Sequence, residues 1–222
     1  MARLKQPANL TDLSMDSIML KRVISVPVFA LLAGLFLSIS AQANLIVNGS
    51  FEDNAVNAGS WKAFNASAVN GWEGSRIEIW NGMSGVKAPD GKNHIELNAD
   101  PYNGAIFSIF QNLATSAGQT YDVSFFYRAR QNDTEAFSFS VANLALVLDN
   151  HTTSVWSKFE GSFVAGAATS VLTFSTLTNG TYGNFIDHVV VTARASVNEA
   201  SSLVMLTIGI LGLMLVRRKN RA

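Results

Sequence analysis

The stretch Tyr121-Asp122-Val123-Ser124-Phe125-Phe126-Tyr127 puts Tyr121, Val123, Phe125 and Tyr127 on one side of an extended chain and Asp122, Ser124 and Phe126 on the other. A period of two marks a strand with one face in a core, whereas a helix would space its apolar residues three and four apart. Phe137, Phe139 and Val141 alternate with Ser138 and Ser140 in the same way. Working outward, further runs rich in Val, Ile, Phe, Tyr and Thr lie at Leu45–Phe51, Arg76–Trp80, His94–Leu97, Ala105–Asn112, Ala145–Leu148, Ser157–Phe163, Ser170–Thr176 and Phe185–Thr192. Turn pairs such as Asn48-Gly49, Asn81-Gly82, Asp90-Gly91 and Asn179-Gly180, which tolerate positive φ, separate them. No helical period is sustained between them. The pattern predicts an all-β sandwich, and the jelly roll is one such two-sheet solution.

The two ends predict where the chain works. Lys21 and Arg22 precede the apolar run Val23–Ile39, and Ala41-Gln42-Ala43 supplies the small-x-small pattern after which a signal peptidase cuts. Cleavage after Ala43 makes 1–43 an N-terminal extension and signal peptide, with Met15 and Met19 as alternative starts. At the other end, Leu203–Val216 reads LVMLTIGILGLMLV and is followed by Arg217, Arg218, Lys219 and Arg221. A bilayer core takes about 20 apolar residues in a helix, which this run approaches when Ala200–Ser202 are added. The basic end favours the cytoplasm and leaves the domain outside.

The order of this C-terminal segment, 196–222, resembles the PEP-CTERM sorting signal of Gram-negative bacteria. In that family a Pro-Glu-Pro tripeptide precedes a short helix and an Arg-rich tail, and an exosortase releases the protein from the membrane. Asn198-Glu199-Ala200 stands in the tripeptide's place, keeping Glu199 and lacking both prolines. The resemblance implies an exported protein held at the inner membrane through a transmembrane helix, then placed at the cell surface or in the extracellular matrix. The alternatives are an uncleaved N-terminal anchor and a permanent C-terminal one.

Between the ends, 44–195 comprises about 150 residues, enough for one domain with its own core. Lys plus Arg and Asp plus Glu each number 16 and no basic patch interrupts the middle, which argues against a nucleic-acid partner. The chain has no cysteine, so neither disulfides nor thiolate metal sites are available to it.

Five motifs follow one another through this domain: N-L-I-V-N-G-S-F-E (Asn44–Glu52), A-P-D-G-K-N-H-I-E-L-N (Ala88–Asn98), I-F-Q-N-L (Ile109–Leu113), A-G-Q-T-Y-D-V-S-F (Ala117–Phe125) and N-F-I-D-H-V-V-V (Asn184–Val191). Their order resembles the bacterial choice-of-anchor C proteins, which are similar to a plant cell-wall-associated domain of unknown function. The first motif looks like the opening strand of galactose-binding-like jelly rolls. The resemblance implies a jelly-roll fold with a polysaccharide as partner. It also implies a structural Ca²⁺ tying the first strand to the last through Glu52 and Asp187, with Ser50 and Gly91 as carbonyl donors. Two carboxylates with turn carbonyls suit the six to eight oxygen ligands of calcium. His94, His151 and His188 are too scattered for zinc.

No Gly-x-Ser-x-Gly elbow, P-loop or His-Glu-x-x-His occurs, and the protein is read as non-enzymatic. A glycan-active hydrolase would instead need a carboxylate pair, for which Glu78 and Glu96 are strand-borne candidates. Sugar binding combines aromatic planes with a few polar groups. Trp61, Trp72, Trp80, Tyr102, Trp156 and Tyr182 lie in or beside Gly/Asn-rich turns, and Arg128 and Arg130 follow an aromatic strand. Trp80, Tyr102 and Arg128 are the expected binding residues, while Trp72 and Trp156 read as core. The expected function is exopolysaccharide binding, and the alternative is a structural or adhesive matrix protein without a defined ligand.

Overall fold

The computed structural model describes residues 42–101 and 104–195, together with Thr207, Gly209, Ile210, Met214 and Arg217, all five of them helical. The expected signal segment up to Ala41, the binding candidate Tyr102, the sorting candidate Glu199 and most of the apolar run lie outside the described residues. Ala43 is exposed and outside any strand.

Eleven strands make two antiparallel sheets: β1 Ser60–Phe64, β2 Glu73–Gly74, β3 Ile77–Asn81, β4 Asn93–Glu96, β5 Ser108–Ala114, β6 Thr120–Arg128, β7 Phe137–Val141, β8 Leu144–Leu148, β9 Ser157–Val164, β10 Thr169–Thr176 and β11 Phe185–Ala193. One sheet has the order β1-β3-β4-β11-β6-β9 and the other β2-β5-β10-β7-β8. The facing sides enclose the core, and polar alternates point away from it, as in an aligned sandwich. The fold is an all-β jelly-roll-like sandwich.

The alternation in Tyr121–Tyr127 has the consequence its pattern dictates. Tyr121, Val123, Phe125 and Tyr127 are buried and the residues between them are half-buried. Phe125 is the centre of an aromatic cluster, its ring 4.9 Å from each of Phe139, Phe159 and Phe174. Burial of one such side chain stabilises the fold by about 1.5–3 kcal/mol. Trp72 closes one end of the core, 5.3 Å from Phe51.

Nine of the ten expected strands form within three residues of their expected bounds. Leu45–Phe51 does not. Asn48 and Phe51 take φ of 51° and 58°, left-handed values that break regular strand pairing. A single bridge, Asn44 to Thr192, precedes the segment, which crosses between the sheets instead. Leu45 N–H donates to Val191 C=O at 2.7 Å, and the backbone of Val47 exchanges two bonds with the buried Gln111 side chain. Gly49 is essential to this crossing, since a Cβ there would stand 2.2 Å from the Val189 carbonyl oxygen. Two strands have no counterpart among the expected runs. Ser60–Phe64 reads SWKAF, with no β-branched residue, and Glu73–Gly74 is too short for any period to show.

Candidate functional site

The outer side of the six-stranded sheet carries an unusual density of aromatic and charged side chains, and strand register orders them into rows. Ala63, Glu78, Glu96, Phe185 and Arg128 are successive cross-strand neighbours. In the next row Trp61 faces Trp80, Trp80 faces His94, and Asp187, Phe126 and Lys158 follow on the other strands. The last two rows are Val190, Ser124 and Glu160, then Thr192, Asp122 and Ser162.

The first of these rows is built around Arg130, just beyond β6. Its guanidinium lies 4.7 Å from the centre of the Trp80 ring and 4.3 Å from that of Tyr182, so it is held between two aromatic planes. Its Nη1 donates to both oxygens of Glu96, at 2.7 and 2.6 Å. Glu96 is fully buried and also accepts the Gly183 N–H at 2.8 Å. Burial pushes its carboxyl up to about 9, against the pull of the Arg130 guanidinium. Glu78, its register partner, accepts Trp80 Nε1–H at 2.7 Å and the Asp100 N–H at 3.0 Å. Both carboxylates thus serve the protein's own donors.

Trp80 was expected to offer a stacking plane, but it is only 2 % exposed. The connection 82–92 folds over this part of the sheet, where Val86 joins Trp80 and Phe185 in a second apolar cluster against Trp61, Met83 and Trp156. Trp156, expected in the core, is only half-buried at this outer face, its Nε1–H donating to the Lys87 carbonyl at 2.9 Å. Trp80 is thus covered where an open plane was expected, and Trp156 is half-buried where a core side chain was expected.

His94 lies fully buried in the resulting box, 5.4 Å from Trp156, 4.8 Å from Phe185 and 6.1 Å from Trp80. Neither ring nitrogen has a partner among the described residues. Burial lowers its pKa to about 3, with Arg128 pushing in the same direction. Arg128 is half-exposed at the edge of the box, where an Nη donates to the Thr153 carbonyl and Nε has no partner among the described residues.

The expected metal residues meet at a corner of the same face. Asp187 is fully buried and accepts the Asp90 and His188 N–H groups at 2.9 and 2.7 Å. Burial raises its carboxyl to about 8, and the charges of Asp90 and Glu52 push the same way. Glu52 accepts the Lys92 and Asn93 N–H groups at 2.6 and 2.7 Å. Gly91 packs so closely on Glu52 that a Cβ would lie 2.4 Å from its carboxylate oxygen. Ser50 enters through its hydroxyl, which donates to Asp90 Oδ2 at 2.6 Å. Among the described residues no three His, Asp or Glu side chains converge to hold a metal by themselves.

Beyond the aromatic rows the face opens into a groove of about 440 Å³. Asp122, Ser124, Glu160, Ser162, Thr192 and Arg194 bring hydroxyl, carboxylate and guanidinium groups to it. Arg194 is ion-paired with Asp122. Of the three expected binding residues, only Arg128 borders open surface; Trp80 is covered and Tyr102 is outside the described residues. Asp122 and Ser124 fall inside the Ala117–Phe125 motif, but nothing in the sequence marked the groove residues for binding. Asp122, Ser124, Glu160 and Ser162 stand on the polar phase of β6 and β9, and Thr192 and Arg194 come from the end of β11 and just after it.

Residues 44–192 match the model of the DUF642 family, described as a protein of unknown function, and the chain belongs to that family. No curated protein matches. Among solved structures, the fold resembles a carbohydrate-binding module of family 61 in complex with β-1,4-galactotriose (TM-score 0.44, 16 % identity, covering 68 % of this chain and 99 % of the module). It also resembles the xylan-binding domain CBM22-1 of Xyn10C from Paenibacillus barcinonensis (TM-score 0.42, 17 % identity, 71 % and 100 %). An arabinose-bound GH51 α-L-arabinofuranosidase matches with a TM-score of 0.48 and 10 % identity over 70 % of this chain, which spans only 27 % of that enzyme.

Proposed function

We propose that this DUF642 chain is an exported, non-catalytic carbohydrate-binding domain whose binding face is the outer side of the six-stranded sheet. One observation carries the reading. Along β6 and β9, the register pairs Phe126 and Lys158, Ser124 and Glu160, and Asp122 and Ser162 form a line that runs into the groove, and Arg128 and Trp156, both beside His94, stand at its other end. Apolar surface with a few placed polar groups is what a sugar needs, its ring faces meeting the former and its hydroxyls the latter. The test is a glycan array followed by calorimetry on wild type, Arg128→Ala and Trp156→Ala. Binding that both substitutions weaken supports the reading, and binding that neither affects rejects it.

A second reading, an adhesive matrix protein with no defined ligand, draws on the opposite sheet. Its outer face brings Ser108, Ser138, Ser140, Thr173 and Ser175 together without a charge among them. Self-association in the absence of glycan would favour it.

Two further parts of the proposal concern the corner and the ends. Glu52 and Asp187 would supply the carboxylates of a structural Ca²⁺, completed by backbone carbonyls. The support is a fully buried Asp187 that feels the charges of Asp90 and Glu52, with no lysine or arginine bonded to it among the described residues. A hard cation suits such oxygen donors. Signal peptidase cleavage after Ala43 and release by an exosortase-like enzyme near Glu199 would place the domain at the cell surface or in the matrix. The exposed apolar side chains of Ile210 and Met214 suit a membrane-held intermediate.

A further inference from the structure

We infer that Tyr182 is a pre-organised sugar-stacking platform at the end of the binding face; the inference rests on the carbohydrate reading above. Tyr182 sits in a turn, Asn179-Gly180-Thr181-Tyr182-Gly183, where a tyrosine would ordinarily sweep several rotamers. Here the turn is pinned at several points. Asn98 Nδ2 donates to the Thr178 and Gly180 carbonyls at 3.2 and 2.9 Å. Glu96 takes the Gly183 N–H, and Arg130 lies against the Tyr182 ring. Arg130 is in turn fixed by Glu96 below it and by Trp80 on its other side.

A buried carboxylate, a half-buried guanidinium and a buried tryptophan thus hold one side chain, and that side chain is 48 % exposed. A ring whose purpose was to fill the core would be covered. A ring fixed in place yet left open has lost its side-chain entropy before any partner arrives, which removes part of the cost of binding. A flat, rigid, half-open aromatic surface fits the C–H face of a pyranose ring.

The position also indicates the length of the glycan. From Asp122 in the groove to the row that holds Arg128 and Glu96, six residues of strand span about 20 Å, and Arg130, bonded to Glu96, holds Tyr182 at that end of the face. A glycan that engages both the groove and Tyr182 is therefore several rings long. A single sugar or a disaccharide would reach only one of them.

The experiment is calorimetry of the protein with β-1,4-linked xylo-, gluco- and galacto-hexaoses and the corresponding disaccharides, using wild type, Tyr182→Ala, Tyr182→Phe and Arg128→Ala. Wild type should bind a hexaose and should bind the matching disaccharide far more weakly. Tyr182→Ala should lose about tenfold or more in affinity with an unchanged melting temperature, and Tyr182→Phe, which keeps the ring, should bind as wild type does. Equal affinity in wild type and Tyr182→Ala, with binding lost in Arg128→Ala, would overturn the platform and leave the carbohydrate face intact. Loss of affinity in Tyr182→Phe as great as in Tyr182→Ala would also overturn it. Failure of wild type to bind any of the hexaoses would overturn both.

Discussion

His94→Phe should change how the stability of the domain depends on pH. The imidazole is fully buried among Trp80, Trp156 and Phe185, and both nitrogens lack a partner among the described residues. Its pKa falls from 6.5 to about 3 because burial disfavours the charged form. A group whose folded pKa is depressed contributes stability that is fully present above its unfolded pKa and is lost as pH falls toward the folded one. The lost contribution is about 0.4 kcal/mol at pH 6.5 and about 2.7 kcal/mol at pH 4.5. Other groups act in this window. Glu96 and Asp187, whose pKa values burial raises, favour the folded state as pH falls, while His151, whose pKa burial lowers, opposes it. The wild-type curve alone therefore does not isolate His94. Phenylalanine fills the same box without a titratable group, so the difference between the two proteins removes the other groups. Urea unfolding of both at pH 6.5 and 4.5 is the assay. The variant should gain about 2.3 kcal/mol relative to wild type between the two pH values. Parallel stability curves would refute a neutral, solvent-free His94.

Saturating Ca²⁺ should raise the melting temperature relative to EGTA, because a ligand of the folded state alone stabilises it; the rise should vanish in the Glu52→Ala, Asp187→Ala double variant. Gly49→Ala should destabilise the fold by about 1–3 kcal/mol in urea unfolding, since its Cβ would strike the Val189 carbonyl oxygen. Phe125→Ala should remove about 3–5 kcal/mol, because three aromatic rings surround that side chain at 4.9 Å.

The alternation in Tyr121–Tyr127 and Phe137–Val141 states both the strands and their buried faces, because a pleated strand turns every second side chain the same way. Leu45–Phe51 misleads because its apolar run is interrupted by two left-handed residues, and apolar content carries no record of φ. The site is harder to read. Trp80 is removed from the surface by the 82–92 connection and by Arg130, which is fifty residues away in sequence. The same distance hides the meaning of Tyr182, whose Asn-Gly turn suggests a free loop until Asn98, Glu96 and Arg130 are seen to hold it. Glu52 and Asp187 come from motifs at opposite ends of the domain and do share a corner. Asp90, which joins them there, stood in the Ala88–Asn98 motif with nothing to mark it as their partner.

The most direct measurement compares glycan binding by variants of the two outer sheet faces. Ser124→Trp would block the groove face, and Thr173→Trp would obstruct the hydroxyl-rich face of the other sheet. Calorimetry with a glycan selected on an array should show binding by wild type and Thr173→Trp and none by Ser124→Trp. Binding retained in Ser124→Trp but lost in Thr173→Trp, or absent from wild type across the array, would contradict the assignment.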